Sequence, residues 1–153
     1  TQEQLKSVVE TQPLGICFSL ETFERREVLR NHKQILSLQN ICESMDFALG
    51  LGYEVNFTYI VGMEPLRVME YHFKYFQEHI NKFPTINTLQ LHKGHQMSLR
   101  DSEAHHLEYY LKARHILEGI FKQTSMRPLV WENYRSLWFL SFDKEELQGI
   151  RTP

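Results

Sequence analysis

The first candidates for chemistry are the polar side chains of two alternating runs. Over 14–22, Leu14, Ile16, Phe18 and Leu20 alternate with Gly15, Cys17, Ser19 and Glu21. Over 53–64, Val55, Phe57, Tyr59 and Val61 alternate with Glu54, Asn56, Thr58, Ile60 and Gly62. Successive side chains of a strand point to opposite faces. Each run therefore has an apolar face for covering helices and a small or polar face for something else. A parallel strand buried on both sides reads as a near-continuous apolar run instead. The second face suits a polar ligand.

Other reactive residue types carry weaker signals. Cys17 shares the polar face, but a lone cysteine is more often a small buried hydrophobe than a nucleophile. Cys42 lies on an apolar stripe and reads as packing. His92-x-x-His95 could contribute to a zinc site, yet spacing places no third ligand. His105 and His106 are neighbours on a helix and point about 100° apart. Surface histidines are the better reading, and no metal ligand is assigned. Arg25, Arg26, Arg30 and Lys33 are interleaved with Glu24 and Glu27, which reads as a solvated face rather than an anion clamp. Trp131, Tyr134 and Trp138 fit one helix face and a core or interface.

The elements that must position these residues follow in order. Residues 2–11 suit the end of a helix, and strands fall near 13–20, 53–61 and 85–92. Residues 21–33 lack a clean stripe and read as a loop or short helix. Ser37 is a good N-cap for a helix whose apolar face is Leu38, Ile41, Cys42, Met45, Ala48 and Leu49, stopped by Gly50 and Gly52. Pro65 opens a second helix with the stripe Leu66, Met69, Phe73, Phe76 and Ile80. A third helix is expected near 101–121, with Ala104, Leu107, Leu111, Ile116, Leu117 and Ile120 inward. In the third strand Thr88, Gln90 and His92 share one face and Asn87, Leu89 and Leu91 the other.

Strand and helix in alternation signal βαβ units and a parallel sheet. Polar groups near the C-terminal ends of the strands stand where such sheets bind ligands. A complete barrel needs roughly 250 residues, and this chain has 153. The expected architecture is α/β, a portion of a partial (β/α) TIM-type barrel over 1–126 with parallel strands and outer helices. An aromatic C-terminal segment, 127–153, packs on it.

Composition excludes some classes. The net charge of −2 gives no electrostatic case for nucleic acid or an acidic membrane. No apolar run reaches the roughly 18 residues of a membrane span. Two isolated cysteines provide neither a disulfide framework nor a four-thiolate site. No signal peptide is visible, and the expected compartment is cytoplasmic.

Taken together, Ser19-Leu20-Glu21-Thr22, Ser37-Leu38-Gln39-Asn40, Gly52-Tyr53-Glu54-Val55 and Tyr59-Ile60-Val61-Gly62-Met63-Glu64 resemble the second half of a radical S-adenosylmethionine (AdoMet) enzyme. The closest branch is the biotin-synthase-like one. The resemblance covers roughly 12–100, the fourth to sixth strands of that family's barrel. It implies that Ser19 and Glu21 bind the AdoMet ribose hydroxyls, for which a carboxylate is a strong acceptor. It also implies that Ile60 packs on adenine within a Gly-x-Ile-x-Gly-x-x-Glu pattern. Here Ile60 and Gly62 match that pattern, Thr58 replaces the first Gly, and Glu64 comes one position early. His92, with Lys93 and Gly94, stands where the family covers adenine, and Gln90 and Asn56 face the substrate side.

Two departures qualify those implications. Relatives carry an Arg for the AdoMet carboxylate where this chain has Ile41; Arg30 or Lys33 could substitute. The family's Cys-x-x-x-Cys-x-x-Cys loop, which holds the [4Fe-4S] cluster, is absent. The cluster ligands are then expected on a missing N-terminal half of the same protein or on a second chain. The resemblance implies an enzyme, a transferase or lyase, that cleaves AdoMet reductively and abstracts hydrogen from a small-molecule substrate. A fragment of a non-radical α/β barrel enzyme and a non-catalytic α/β binding module stay open beside it.

Overall fold

Three parallel strands and the helices between them organise the chain. The computed structural model describes residues 2–9, 14–90, 94–129, 137–138 and 141–147. The order is α1 (Gln2–Val9), β1 (Gly15–Glu21), α2 (Leu38–Gly50), β2 (Glu54–Val61), α3 (Leu66–Phe76), β3 (Thr85–Thr88) and α4 (Leu107–Phe121). A short antiparallel hairpin follows, β4 (Ser141–Phe142) and β5 (Glu145–Glu146). The main sheet has the order β1-β2-β3, with parallel pairing throughout. The fold is therefore α/β. Among the described residues no helix is long and apolar enough to cross a membrane.

Local chemistry sets most of the boundaries. The Ser37 hydroxyl accepts from the Asn40 N–H at 3.1 Å and caps α2. At the other end Gly52 takes φ +84, so that the Tyr53 N–H reaches the Ala48 carbonyl at 3.1 Å. Asn81 fixes the start of β2, its side chain accepting from Val55 N at 2.7 Å and donating to Tyr53 O at 2.9 Å.

One sheet face is a packed core. Val55, Phe57, Tyr59 and Val61 are fully buried beneath α2 and α3, with Ile41, Cys42, Met45, Ala48, Met69, Phe73 and Phe76 against them. Each Val, Ile, Met or Phe side chain among them contributes roughly 1.5–3 kcal/mol on burial. Phe23, just past β1, stacks on Tyr59 at 4.9 Å and meets Phe57, Phe73 and Phe76. The segment read from sequence as loop or short helix thus supplies a central core ring. It also forms two 3-10 turns, Arg26–Val28 and Asn31–Gln34.

The opposite face carries the residues expected there on β1 and β2. Gly15, Cys17 and Ser19 are exposed, and Thr58 and Ile60 are half-buried. On β3 the expectation needs correcting. Register places Asn87 beside Ile60 and Thr88 beside Val61, so Asn87 continues the open face while Thr88 stands on the helix side. The strand also ends at Thr88 rather than near 92. The inner side of the last helix differs too. Tyr109, Ala113, Leu117 and Phe121 are buried, whereas Leu107 and Leu111 are 69% and 57% exposed. A 3-10 turn at Ser102–His105 precedes this helix, and aromatic anchors set its phase. Trp138 and Phe142 are buried against Phe83. Trp131 and Tyr134 lie outside the described residues.

Candidate binding trough

The C-terminal ends of the strands meet two adjoining cavities on the open face. The first, about 360 Å³, has apolar walls from Val28, Leu29, Ile60, Met63, Leu89 and Leu99, with Glu21, Asn87, Thr88 and Gln90 among them. The second, about 610 Å³, shares Glu21, Val28, Leu29 and Leu99 and extends along Arg30, Asn31, His32 and Lys33. Together they form a trough with an apolar half and a polar half, joined at Glu21.

Glu21 reaches this junction through an irregularity. Ser19 pairs with Thr58 and Glu21 with Tyr59, so β1 carries one extra residue, Leu20, relative to β2. A bulge of this kind re-aims a side chain. Glu21 takes φ +68, an unfavourable conformation for a non-glycine residue and one that concentrates at functional sites. Its carboxylate is part of a three-member cluster. Ser19 Oγ donates to Glu21 Oε1 at 2.9 Å. Lys33 Nζ donates to Glu21 Oε1 at 2.5 Å and to Ser19 Oγ at 2.7 Å. Among the described residues Glu21 Oε2 accepts no hydrogen bond. Among the described residues the Thr58 hydroxyl, beside Ser19 in register, is buried without a hydrogen-bond partner.

The trough wall is held by groups that sequence reading set aside. Arg25 donates to the Met63, Leu99 and Ser98 carbonyls at 3.1, 2.6 and 3.2 Å. It thereby ties the 3-10 turn Gly94–Leu99 to the end of β2. Arg26 donates to Leu20 O, Thr22 O and Lys33 O at 3.3, 3.0 and 2.5 Å. Burial lowers the Arg26 pKa, opposed by Glu21 and Glu64. Both guanidinium groups are thus backbone staples rather than a solvated face.

Glu64 anchors the same region from beneath and is fully buried. Its Oε1 accepts from Thr22 Oγ1, Glu24 N and Arg25 N at 2.6, 2.5 and 3.1 Å. Its Oε2 accepts from Phe23 N and Tyr59 Oη at 3.1 and 2.9 Å. Burial first, and then this carboxylate, push the Tyr59 phenol well above its ordinary pKa. Tyr109 Oη donates to the Glu64 carbonyl at 2.5 Å, and burial raises its pKa as well.

The remaining sequence-derived candidates divide by location. Ile60 and Gln90 line the first cavity with Glu21. Gly62 is buried with φ +111, and an added Cβ would lie 3.1 Å from both Leu89 Cβ and Tyr110 Oη. Its part is close packing at the strand end. Asn56 is buried, donates to Phe83 O at 3.1 Å and borders a separate hollow with Gly15 and Cys17. The structure does not bring it to the trough. His92 and Lys93 lie outside the described residues. Ile41 is buried on α2, Lys33 is engaged by Glu21, and Arg30 is an exposed cation on the trough wall. Sequence reading missed Asn87, Val28, Leu29 and Leu99. The only signal for Val28 and Leu29 was two adjacent apolar residues inside a charged run.

Metal ligation is a different matter. Among the described residues no group of three or more His, Cys, Asp or Glu could hold a metal ion. Cys42 is buried, which pushes its thiol up to about 11. Cys17 is exposed on the open face, apart from other thiols. The cysteines present do not fit a [4Fe-4S] cluster, which takes three or four thiolates. No protein-family model matches the chain, and no curated protein shows significant similarity to it.

Proposed function

We propose that this chain forms the nucleoside-binding wall of a radical AdoMet enzyme, as part of a partial (β/α) barrel whose lumen is the open sheet face. One observation carries the reading. A carboxylate with one oxygen that accepts no hydrogen bond among the described residues and a neighbouring serine sit at the rim of an apolar trough, at the C-terminal ends of parallel strands. A ribose needs acceptors for two adjacent hydroxyls, and adenine needs a flat apolar surface beside them. Glu21 and Ser19 supply the first, and Ile60 with Val28 and Leu29 supplies the second. Arg30, the exposed cation on the trough wall, is the candidate for the AdoMet carboxylate. Gln90, which lines the first cavity, is assigned to the substrate side.

Bound AdoMet supplies the source of a carbon-centred radical when an electron reaches it. This chain's own residues fix the nucleoside, orient its ribose through charge-assisted hydrogen bonds and shield the adenine from water. The cluster ligands belong to the other half of the barrel or to a second chain, and the reaction acts on a small molecule. Equilibrium titration with AdoMet tests the reading. Glu21→Ala should weaken binding by about 1.5–3 kcal/mol, the value of a hydrogen bond to a charged group. Unchanged affinity would remove the ribose assignment. Iron and acid-labile sulfide in the anaerobically purified native protein test the cluster separately.

A further inference from the structure

We propose that Lys33 is a positioning residue that makes Ser19 and Glu21 an acceptor-only pair and so selects ligands bearing adjacent hydroxyls. The inference rests on the nucleoside reading of the trough and extends it to a residue outside the resemblance. An ammonium can only donate. Because Lys33 Nζ lies 2.7 Å from Ser19 Oγ, the serine must accept from it. A hydroxyl has one proton, and that of Ser19 is directed to Glu21 Oε1 at 2.9 Å. Oε1 therefore receives two donors, from Ser19 and Lys33. Toward a ligand, Ser19 offers one remaining lone pair and Glu21 offers Oε2. Both can accept and neither can donate. A ligand presenting two neighbouring O–H groups satisfies both, whereas a deoxy sugar leaves an acceptor unmet.

The lysine is held where this requires it. Arg26 grips the Lys33 carbonyl together with the Leu20 and Thr22 carbonyls, so the backbone of Lys33 is tied to the end of β1. The Lys33 and Glu21 side chains are 33% and 28% exposed, which leaves the cluster accessible from the trough. Without the ammonium, the serine proton can turn outward and the carboxylate can rotate. The site would then accept or donate indifferently.

The test is calorimetric titration of the protein with S-adenosylhomocysteine and with its 2′-deoxy and 3′-deoxy analogues. The wild type should prefer the ribose form by about tenfold or more, since a site built to bind a hydroxyl rejects the analogue lacking it. Lys33→Met should bind the deoxy analogues as before but lose most of that preference, and Lys33→Arg should restore part of it. A Lys33→Met protein that keeps the wild-type preference, or weakens equally toward all three ligands, overturns the inference. If Glu21→Ala abolishes the preference while Lys33→Met retains it, the nucleoside reading stands and the role of Lys33 falls. Wild-type protein that binds none of the three ligands overturns both.

Discussion

Glu64 and Glu21 are carboxylates at the ends of neighbouring strands, and they have opposite surroundings. Glu64 is fully buried and receives five donors, all from the chain itself. Glu21 is partly exposed, lines the trough and, among the described residues, receives its two donors on one oxygen. The first closes a loop and the second presents a surface. Burial with complete satisfaction marks a structural acid. Partial satisfaction on a strained backbone at a cavity rim is what the proposed ligand-binding role of Glu21 requires.

Glu64→Ala gives the largest expected effect. It orphans five donors beneath a packed core and should destabilise the fold by about 3–5 kcal/mol, read by denaturant unfolding. Glu64→Gln should cost less, since it preserves volume while turning an amide against inward-facing N–H groups. Glu21→Ala should cost under about 1 kcal/mol, as exposed ion pairs do. Equal losses at the two positions would erase the distinction between them. Gly62→Ala tests the link between them, because Gly62 forms the turn that leads from β2 to Glu64. A Cβ there meets Leu89 and Tyr110 at a positive φ and should destabilise by about 1–3 kcal/mol.

Tyr59→Phe should cost about 1 kcal/mol at neutral pH, for one hydrogen bond to Glu64. Its pH dependence is more telling. The folded-state pKa of Tyr59 lies well above the ordinary value of 10.0. The stability it contributes is therefore fully present below that value and is lost as the pH rises toward the folded one. Thermal midpoints from about pH 7 to about pH 11 should fall less steeply in Tyr59→Phe than in the wild type. Tyr109, raised in the same direction, retains part of the alkaline loss. Identical slopes would show that the phenol beside Glu64 does not govern it.

The sequence made the first two strands legible because their alternation is strict and each has one apolar face. The α2 boundaries were legible through Ser37 and Gly52, whose side-chain and backbone chemistry is local. Three features were hidden for a common reason, namely that each depends on contacts distant in sequence. The β3 face is set by pairing with β2, not by its own mixed pattern. The phase of α4 is set by Tyr109 reaching Glu64 and by Phe121 meeting Phe73 and Phe83. The 21–33 segment has no periodicity because its order comes from Glu64, Arg25 and Arg26. Of the trough, Ser19, Glu21, Ile60 and Gln90 were named from sequence. The role of Asn87 required the register, and the position of Lys33 required the two 3-10 turns.

Strand order in the sheet equals chain order, which bears on how the protein is made. Each strand can join the edge left by its predecessor as synthesis proceeds, without threading between strands already paired. The loop after β1 nevertheless cannot settle early, because Thr22 waits for Glu64, 42 positions later. The Glu64 carbonyl in turn waits for Tyr109, a further 45 positions on. Early segments are thus fastened by late ones, and a nascent chain released before α4 would lack the contact that holds Glu64 beneath the trough.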